Sequence, residues 1–287
     1  MRPNTLTAIF SILLFLSAHN LNAGQGDPET EIFILQSDKY KIEINTKYSY
    51  TIRRICFENY EAGKNTGFYG AVIAPESGTY IGAGHTEGGI EKIQSTSLFV
   101  NDQQTNIENG RTYNGELLRF EKVSRLDNLL FTTTIKVSSS GITESKFFEA
   151  VEDQKINCVY AFLYCLNVNT TEWLAETTND LSEKGIFKND GSWHLQKDIK
   201  WVAVYDQNAN KGILIYFPIV IKGQSRKSAI WDIAKAYHKY YLMLDVPNLI
   251  KKGFKSKEMV LEFSCFSAEK TDWKTIVKKN IEALKNK

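Results

Sequence analysis

Residues 231–242 combine side chains that can transfer protons with flat aromatic rings. One histidine, two lysines and three tyrosines fall within positions 235–242, where a core strand would carry Val, Ile or Leu. Imidazole, ammonium and phenol groups exchange protons near neutral pH once their surroundings shift their pKa values. We predict a strand that lines a sugar-binding groove. The alternative is an edge strand whose rings cover the core while its lysine reaches water.

Alternation along this strand divides its candidate residues between two faces. His238 and Tyr240 share one face and Lys239 and Tyr241 share the other, so both sets line one groove only if the strand bulges. We select His238 and Tyr240 as the catalytic pair, and we select Lys239 as a substrate contact.

The glycine-rich segment 82–91 carries a second set of candidates. Glycine allows a backbone to approach a ligand closely. His85 and Glu87 share a face if the segment is extended, and they can act as a polarising pair or as two metal ligands. The alternative is a long turn whose histidine caps a strand end. The sequence requires no cofactor, and a divalent metal such as Ca²⁺ stays open.

The third set lies in residues 193–201, where Trp193 and Trp201 bracket His194 and two lysines. Indole faces stack on the apolar side of sugar rings, and cations bind carboxylate or sulfate groups. The alternative is a loop anchored in the core by its tryptophans. Because each set contains one histidine, we expect His85, His194 and His238 to converge on one cleft.

The first 23 residues have the pattern of a secretory signal. Arg2 precedes a short apolar run at 6–18, and Ala23 is the small residue that cleavage needs. We therefore predict a secreted or periplasmic protein, with no later stretch apolar and long enough to cross a membrane. Residues 222–287 hold 15 Lys and Arg against 7 Asp and Glu, an excess of 8 positive charges. This excess favours an anionic partner, and without a nucleic-acid motif we choose acidic polysaccharide.

The rest of the chain predicts an all-β fold. About a dozen short runs of alternating or apolar residues are separated by turn residues, as in 206–211 and 138–141. One C-terminal helix is predicted after Thr271. We expect residues 24–287 to form a single domain, a large antiparallel β-sandwich with a concave face. Four cysteines are too few for a disulfide framework, although a bridge between Cys56 and Cys265 stays open.

With residues 84–89 (Gly-His-Thr-Glu-Gly-Gly) and 237–241 (Tyr-His-Lys-Tyr-Tyr), this exported, strand-rich chain resembles bacterial polysaccharide lyases. It is also similar to the galactose mutarotase-like sandwich. The resemblance implies β-elimination on a uronate polysaccharide such as ulvan. In that reaction a base removes the C5 proton, an acid protonates the departing O4, and a cation neutralises the carboxylate. His238 is the expected base, Tyr240 its partner, and the neutralising group is Lys239, His85 or His194. Further substrate contacts are expected from Glu87, Trp193 and Trp201.

Two other functions remain open. A glycoside hydrolase needs a carboxylate pair, available among Glu87, Glu91, Glu172, Glu176 and Asp180. A non-catalytic carbohydrate-binding sandwich would bind polysaccharide without new reducing ends.

Overall fold

The structure, a computed structural model, describes residues 31–64, 69–82, 89–221 and 223–286, with the backbone alone for 223–227. The predicted signal segment lies outside these ranges, and so do His85 and Glu87. Among the described residues, no helix is long and apolar enough to cross a membrane.

Twenty-two strands and one helix make up the described chain. The first eleven strands are β1 (Ile32–Ser37), β2 (Tyr40–Asn45), β3 (Thr51–Phe57), β4 (Tyr60–Gly63), β5 (Val72–Pro75), β6 (Ile81–Gly82), β7 (Lys92–Val100), β8 (Gln103–Thr105), β9 (Thr112–Asn114), β10 (Leu117–Leu126) and β11 (Leu129–Ser138). The remaining elements are β12 (Gly141–Ala150), β13 (Gln154–Asn167), β14 (Glu172–Thr177), β15 (Ser182–Ile186), β16 (Trp193–Lys197), β17 (Ile199–Asp206), β18 (Lys211–Tyr216), β19 (Gly223–Ile233), β20 (Tyr237–Leu244), β21 (Leu249–Ile250), β22 (Met259–Ser267) and α1 (Trp273–Lys285).

The strands form two large, mainly antiparallel sheets, which confirms the predicted sandwich. The 12-stranded sheet runs β16-β19-β20-β13-β4-β3-β2-β1-β9. In addition, β5 and β21 pair with β13, and β6 pairs with β5. The 10-stranded sheet runs β15-β14-β17-β18-β22-β12-β11-β10-β7-β8. Consecutive hairpins explain most neighbours, but β13 joins β4 and β20, which are distant in sequence. This long-range pairing brings the 160s beside the 240s.

Strict alternation of buried and exposed residues places the core between the sheets. In β10 and β11 every second residue is buried, as expected when one face of a strand packs inward. Rings from both sheets meet there, for example Tyr164 stacked on Phe263 with centroids 5.4 Å apart. The core is therefore continuous from one sheet to the other.

Turn chemistry at two predicted hairpins is as expected from the sequence. Asp206 Oδ1 accepts hydrogen bonds from the backbone N–H groups of Asn208 and Ala209, which closes the β17–β18 turn. At the β11–β12 turn, Gly141 has φ of 137°, and a Cβ there would lie 2.5 Å from the carbonyl oxygen of Phe263. A side chain is therefore excluded at this position.

The C-terminal helix packs on the 10-stranded sheet. Trp273, Val277 and Ile281 are its buried residues, and the Trp273 ring stacks on Tyr205 with centroids 5.2 Å apart. The N-cap residue is Asp272 rather than the predicted Thr271, and it makes no side-chain capping bond. None of the four cysteines, which all lie within the described ranges, forms a disulfide bond.

Candidate functional site

A cross-strand row of side chains lies on the outward face of the 12-stranded sheet. Trp193 of β16 pairs with Trp231 of β19, Trp231 pairs with Lys239 of β20, and Lys239 pairs with Cys165 of β13. Residues directly opposite in register project to the same side of a sheet. The row therefore places two indoles and one ammonium group side by side, from segments that are distant in the chain.

Aromatic rings shape a cleft along this row. The rings of Trp193 and Trp231 are parallel within 2°, with centroids 5.0 Å apart, and Tyr241 meets Trp193 edge-on at 5.7 Å. Tyr160 meets Tyr241 edge-on at 5.2 Å. The cleft has a volume of about 180 Å³. Its lining is completed by Val72, Tyr80, Leu163 and Lys239.

This cleft is smaller than the ~300–1,000 Å³ pockets that enclose a drug-sized ligand. It is open enough for Trp193 to expose 37% of its surface. It therefore suits one ring-sized group of a longer ligand, held against flat aromatic faces.

Lys239 is the cation of the cleft. Its side chain is half-buried, and burial lowers the pKa of its ammonium group below the usual value. Cys165 is the one group that acts in the opposite direction. No carboxylate of the described residues pairs with this ammonium group.

The predicted catalytic pair lies on the other face of the same strand. His238 and Tyr240 expose none of their surface, because alternation along β20 turns them toward the core. Tyr240 Oη lies 3.1 Å from Ser228 Oγ, and burial raises the pKa of Tyr240 above its usual range. This burial does not support direct contact between either residue and a substrate.

Asp232 brings two of the three histidines together behind the cleft. His194 Nε2 lies 3.1 Å from Asp232 Oδ2, and His238 Nδ1 lies 2.7 Å from Asp232 Oδ1. The second contact is at ion-pair distance and brings the imidazole and the carboxylate side by side. Burial, opposed by Asp232 and Thr170, lowers the pKa of His238. The expected convergence therefore occurs for these two histidines, and it occurs away from the cleft surface.

The other predicted site residues lie apart from the cleft or outside the described residues. His85 and Glu87 are outside the described ranges. Trp201 is buried in the 10-stranded sheet, and its indole N–H donates to Glu176 at 3.3 Å. Trp193 and Lys239 are thus the predicted substrate contacts that the structure places together.

The carboxylates available for a hydrolase are paired elsewhere. Glu91 lies between the sheets, 2.7 Å from the ammonium nitrogen of Lys122. Glu176 and Asp180 both pair with Lys200. Glu172 pairs with Lys274 at 3.6 Å. None of these four lines the cleft. Likewise, no group of three or more His, Cys, Asp or Glu suited to hold a metal ion occurs in the described part of the chain.

Sequence reasoning missed Trp231, Tyr160 and Tyr80 as cleft residues. Trp231 stands at the head of the proton-transfer segment, but its role depends on the β16–β19–β20 register. Tyr160 and Tyr80 come from other segments, with ring centroids 6.1 Å apart. The aromatic content of a single segment could not have predicted that these two rings lie close together.

The cleft and the hidden histidine pair belong to an all-β sandwich whose fold is shared by solved proteins. No protein-family model matches the sequence, and no curated protein matches it. A protein from Synechocystis sp. PCC 6803 is similar in structure, with a TM-score of 0.51 and 10% identity over 83% of this chain and 96% of that chain. An alpha-galactosidase from Lactobacillus brevis also has a TM-score of 0.51, with 10% identity over 83% of this chain and 40% of that chain. A galactose mutarotase-like protein from Lactobacillus casei ATCC 334 matches with a TM-score of 0.46 and 9% identity, over 82% of this chain and 100% of that chain. At these identities the likeness concerns the fold alone.

Proposed function

We propose that this protein binds an acidic polysaccharide, with one sugar ring against Trp193 and Trp231 and its carboxylate or sulfate on Lys239. The observation that carries the proposal is the cross-strand row of these three residues on one face. The protein would act outside the cytoplasm, as its N-terminal sequence predicts. The structurally similar protein from Lactobacillus brevis is an alpha-galactosidase, which agrees with a sugar ligand.

The aromatic residues of the cleft are the reason for proposing a sugar ring as the ligand. The C–H-rich face of a pyranose ring packs on an indole. The two indoles are stacked, so each covers one face of the other, and a sugar would pack on the outer face or the edges of the stack. Tyr241 and Tyr160 meet at nearly a right angle beside the pair and close one side of the cleft. This arrangement favours a ring over an extended apolar chain.

The ammonium group of Lys239 is the reason for proposing that the polysaccharide is acidic. A half-buried cation with no described carboxylate partner gains more from an anionic group than an exposed cation does, since solvent screens it less. The cleft contains no carboxylate among its described lining residues that would repel the ligand. A neutral polysaccharide would leave this cation unpaired and would bind less tightly.

The direct test measures binding of the full chain to ulvan, alginate and polygalacturonate by calorimetry, with neutral galactan as the comparison. We expect binding to at least one acidic polymer, weaker at high salt, and little binding to galactan. Equal binding to galactan, or no binding to any acidic polymer, would contradict the proposal.

A second candidate is cleavage of the bound polymer by β-elimination. The feature that favours it is the pair Lys239 and Tyr241, which share the cleft face. Lys239 would neutralise the uronate carboxylate. The deprotonated Tyr241 oxygen would take the C5 proton, a C4–C5 double bond would form as the C4–O4 bond breaks, and the resulting phenol would protonate the departing O4. These roles replace those expected for His238 and Tyr240 by the residues next to them in the strand.

The two activities are separated by products. Incubation with the same polymers should give ultraviolet absorbance of an unsaturated uronate together with new reducing ends if elimination occurs. Reducing ends without that absorbance indicate hydrolysis. Binding without either product indicates a carbohydrate-binding protein.

A further inference from the structure

A fully buried carboxylate lies directly behind the two indoles of the cleft. Asp232 follows Trp231 in β19, and His194 follows Trp193 in β16, so alternation turns this second pair inward. Asp232 exposes none of its surface. Such a carboxylate is strongly unfavourable unless its oxygens are satisfied by donors or a counter-charge.

Asp232 Oδ2 receives three donors. They are His194 Nε2 at 3.1 Å and the backbone N–H groups of Lys188 and Asn189 at 3.3 and 3.0 Å. In addition, the backbone N–H of Asp232 donates to the carbonyl oxygen of Ser192 at 3.0 Å. The loop 187–192, which leads into Trp193, is therefore tied to this one residue.

Asp232 Oδ1 meets the second imidazole. His238 Nε2 lies 3.1 Å from the carbonyl oxygen of Thr170, which can only accept, so Nε2 carries a hydrogen. His238 Nδ1 lies 2.7 Å from Asp232 Oδ1, so the second imidazole lies against the other carboxylate oxygen. Phe187 covers the His238 ring at 3.7 Å and excludes water from it.

The same loop holds the indoles. Trp231 Nε1 donates to the carbonyl oxygen of Gly191 at 3.0 Å. Phe187 also contacts His194 edge-on at 5.2 Å. Trp193 and Trp231 are thus oriented by β16, β19 and the loop, and all three converge on Asp232.

We propose that Asp232, His194 and His238 are positioning residues that hold the Trp193–Trp231 pair in its ligand-binding arrangement. They do not touch the ligand. Their effect on affinity rests on the proposed function, whereas their effect on the indoles does not. The physical reason is preorganisation: a fixed aromatic pair loses less conformational entropy on binding than a mobile one.

The test uses two replacements of His194 that differ in one group. Glutamine places an N–H donor near the position of Nε2, and methionine fills similar space without a donor. The readout is the indole region of ¹⁵N–¹H spectra of the full chain, with the Trp231 signal assigned through Trp231→Phe. We expect His194→Gln to keep the Trp231 indole signal and its rate of exchange with solvent. We expect His194→Met to shift that signal and speed its exchange.

A third variant tests the carboxylate. Asp232→Asn keeps the shape and supplies an N–H toward His238 Nδ1, so it should preserve the Trp231 signal as well. In binding to ulvan, Kd should rise about tenfold in His194→Met and less than about threefold in His194→Gln.

The outcomes separate the two proposals. An unchanged Trp231 signal in His194→Met overturns the positioning role, whatever happens to ulvan binding. If ulvan does not bind to the unaltered protein, the proposed function fails for that polymer, and the indole spectra still decide the positioning role. If His194→Met does not fold, His194→Leu replaces it: a shifted Trp231 signal with faster exchange supports the positioning role, and an unchanged signal overturns it.

Discussion

Two lysines of this protein differ in whether a carboxylate lies beside their ammonium group. Lys146 is between the sheets and 1% exposed, and its ammonium group contacts Glu144 at 2.7 Å and the carbonyl oxygen of Ala161 at 2.9 Å. Lys239 is half-buried in the cleft and has no carboxylate partner among the described residues. Burial lowers the pKa of both ammonium groups.

The two lysines differ in whether the ammonium group is bound by other residues of the fold. The ammonium group of Lys146 is bound inside the fold by Glu144 and Ala161. Glu144 in turn accepts a hydrogen bond from Tyr164 at 2.6 Å. The Glu91–Lys122 pair is similar, with Lys122 also donating to the carbonyl oxygen of Ser49 at 2.9 Å. Lys239 has no such carboxylate partner among the described residues, which is why we propose it as the cation that binds a ligand. Burial with a partner therefore indicates a structural role, and burial without one indicates a binding role.

The largest expected effect is on stability, at Lys146. Lys146→Met leaves Glu144 buried without its counter-charge, so we expect the free energy of unfolding to fall by about 3–5 kcal/mol. Chemical denaturation followed by fluorescence measures it. The double variant Lys146→Met with Glu144→Leu should regain part of the loss, although Tyr164 then lacks its acceptor. A loss of less than about 1 kcal/mol in the free energy of unfolding would contradict the structural role of Lys146.

The next effect is on binding, at the indole pair. Trp231→Ala removes one ring of the stacked pair and the support that it gives to Trp193. We expect the affinity for acidic polysaccharide to fall by about 2 kcal/mol, roughly thirtyfold in Kd. Calorimetry measures the affinity. The matched control is Trp201→Phe in the other sheet, which should leave Kd unchanged. A loss of affinity in Trp201→Phe would instead support the substrate contact predicted from the sequence.

Lys239→Met sharpens the comparison most directly. We expect affinity for the acidic polymer to fall by about 1.5 kcal/mol or more, because a charge-assisted hydrogen bond is lost. The free energy of unfolding should change by less than about 1 kcal/mol, since no described carboxylate is left unpaired. Binding by titration and unfolding by denaturant are measured on the same sample. A large loss of stability with retained affinity would make Lys239 structural.

The pH dependence of binding provides the control for Lys239. Because its pKa is lowered, its ammonium group is charged below that pKa and becomes neutral at a pH where an ordinary lysine is still charged. Affinity for the acidic polymer should therefore fall as pH rises through the lowered pKa. Lys239→Arg stays charged and should lose this dependence.

The smallest effect is expected at Tyr240. Tyr240→Phe removes the contact with Ser228 and should cost about 1 kcal/mol of stability. Polymer binding and any release of unsaturated product should stay unchanged, because Tyr240 is fully buried. Loss of product formation in the folded variant would restore the catalytic role predicted for Tyr240.

Much of the fold was predictable from local patterns. Alternation in segments such as 117–126 and the turn at 206–211 predicted strands and a hairpin that the structure contains. The helix after residue 271 was also predicted, although its N-cap was not. The site was only partly predictable. The segment around Lys239 was recognised, but His238 and Tyr240, which were chosen as the catalytic pair, lie on the face of β20 that is turned toward the core.

The amino-acid sequence by itself determined that residues 237–241 form a strand and that His238 and Lys239 lie on opposite faces, because the side-chain period of a strand is two residues. Which face turns to solvent was decided by the second sheet, which packs on the side of His238 and Tyr240. The tertiary structure also decided that Trp193, Trp231 and Lys239 are neighbours, because strand register depends on pairing between distant segments. Burial without a partner is a property of that three-dimensional neighbourhood, so no local pattern could have separated Lys239 from Lys146.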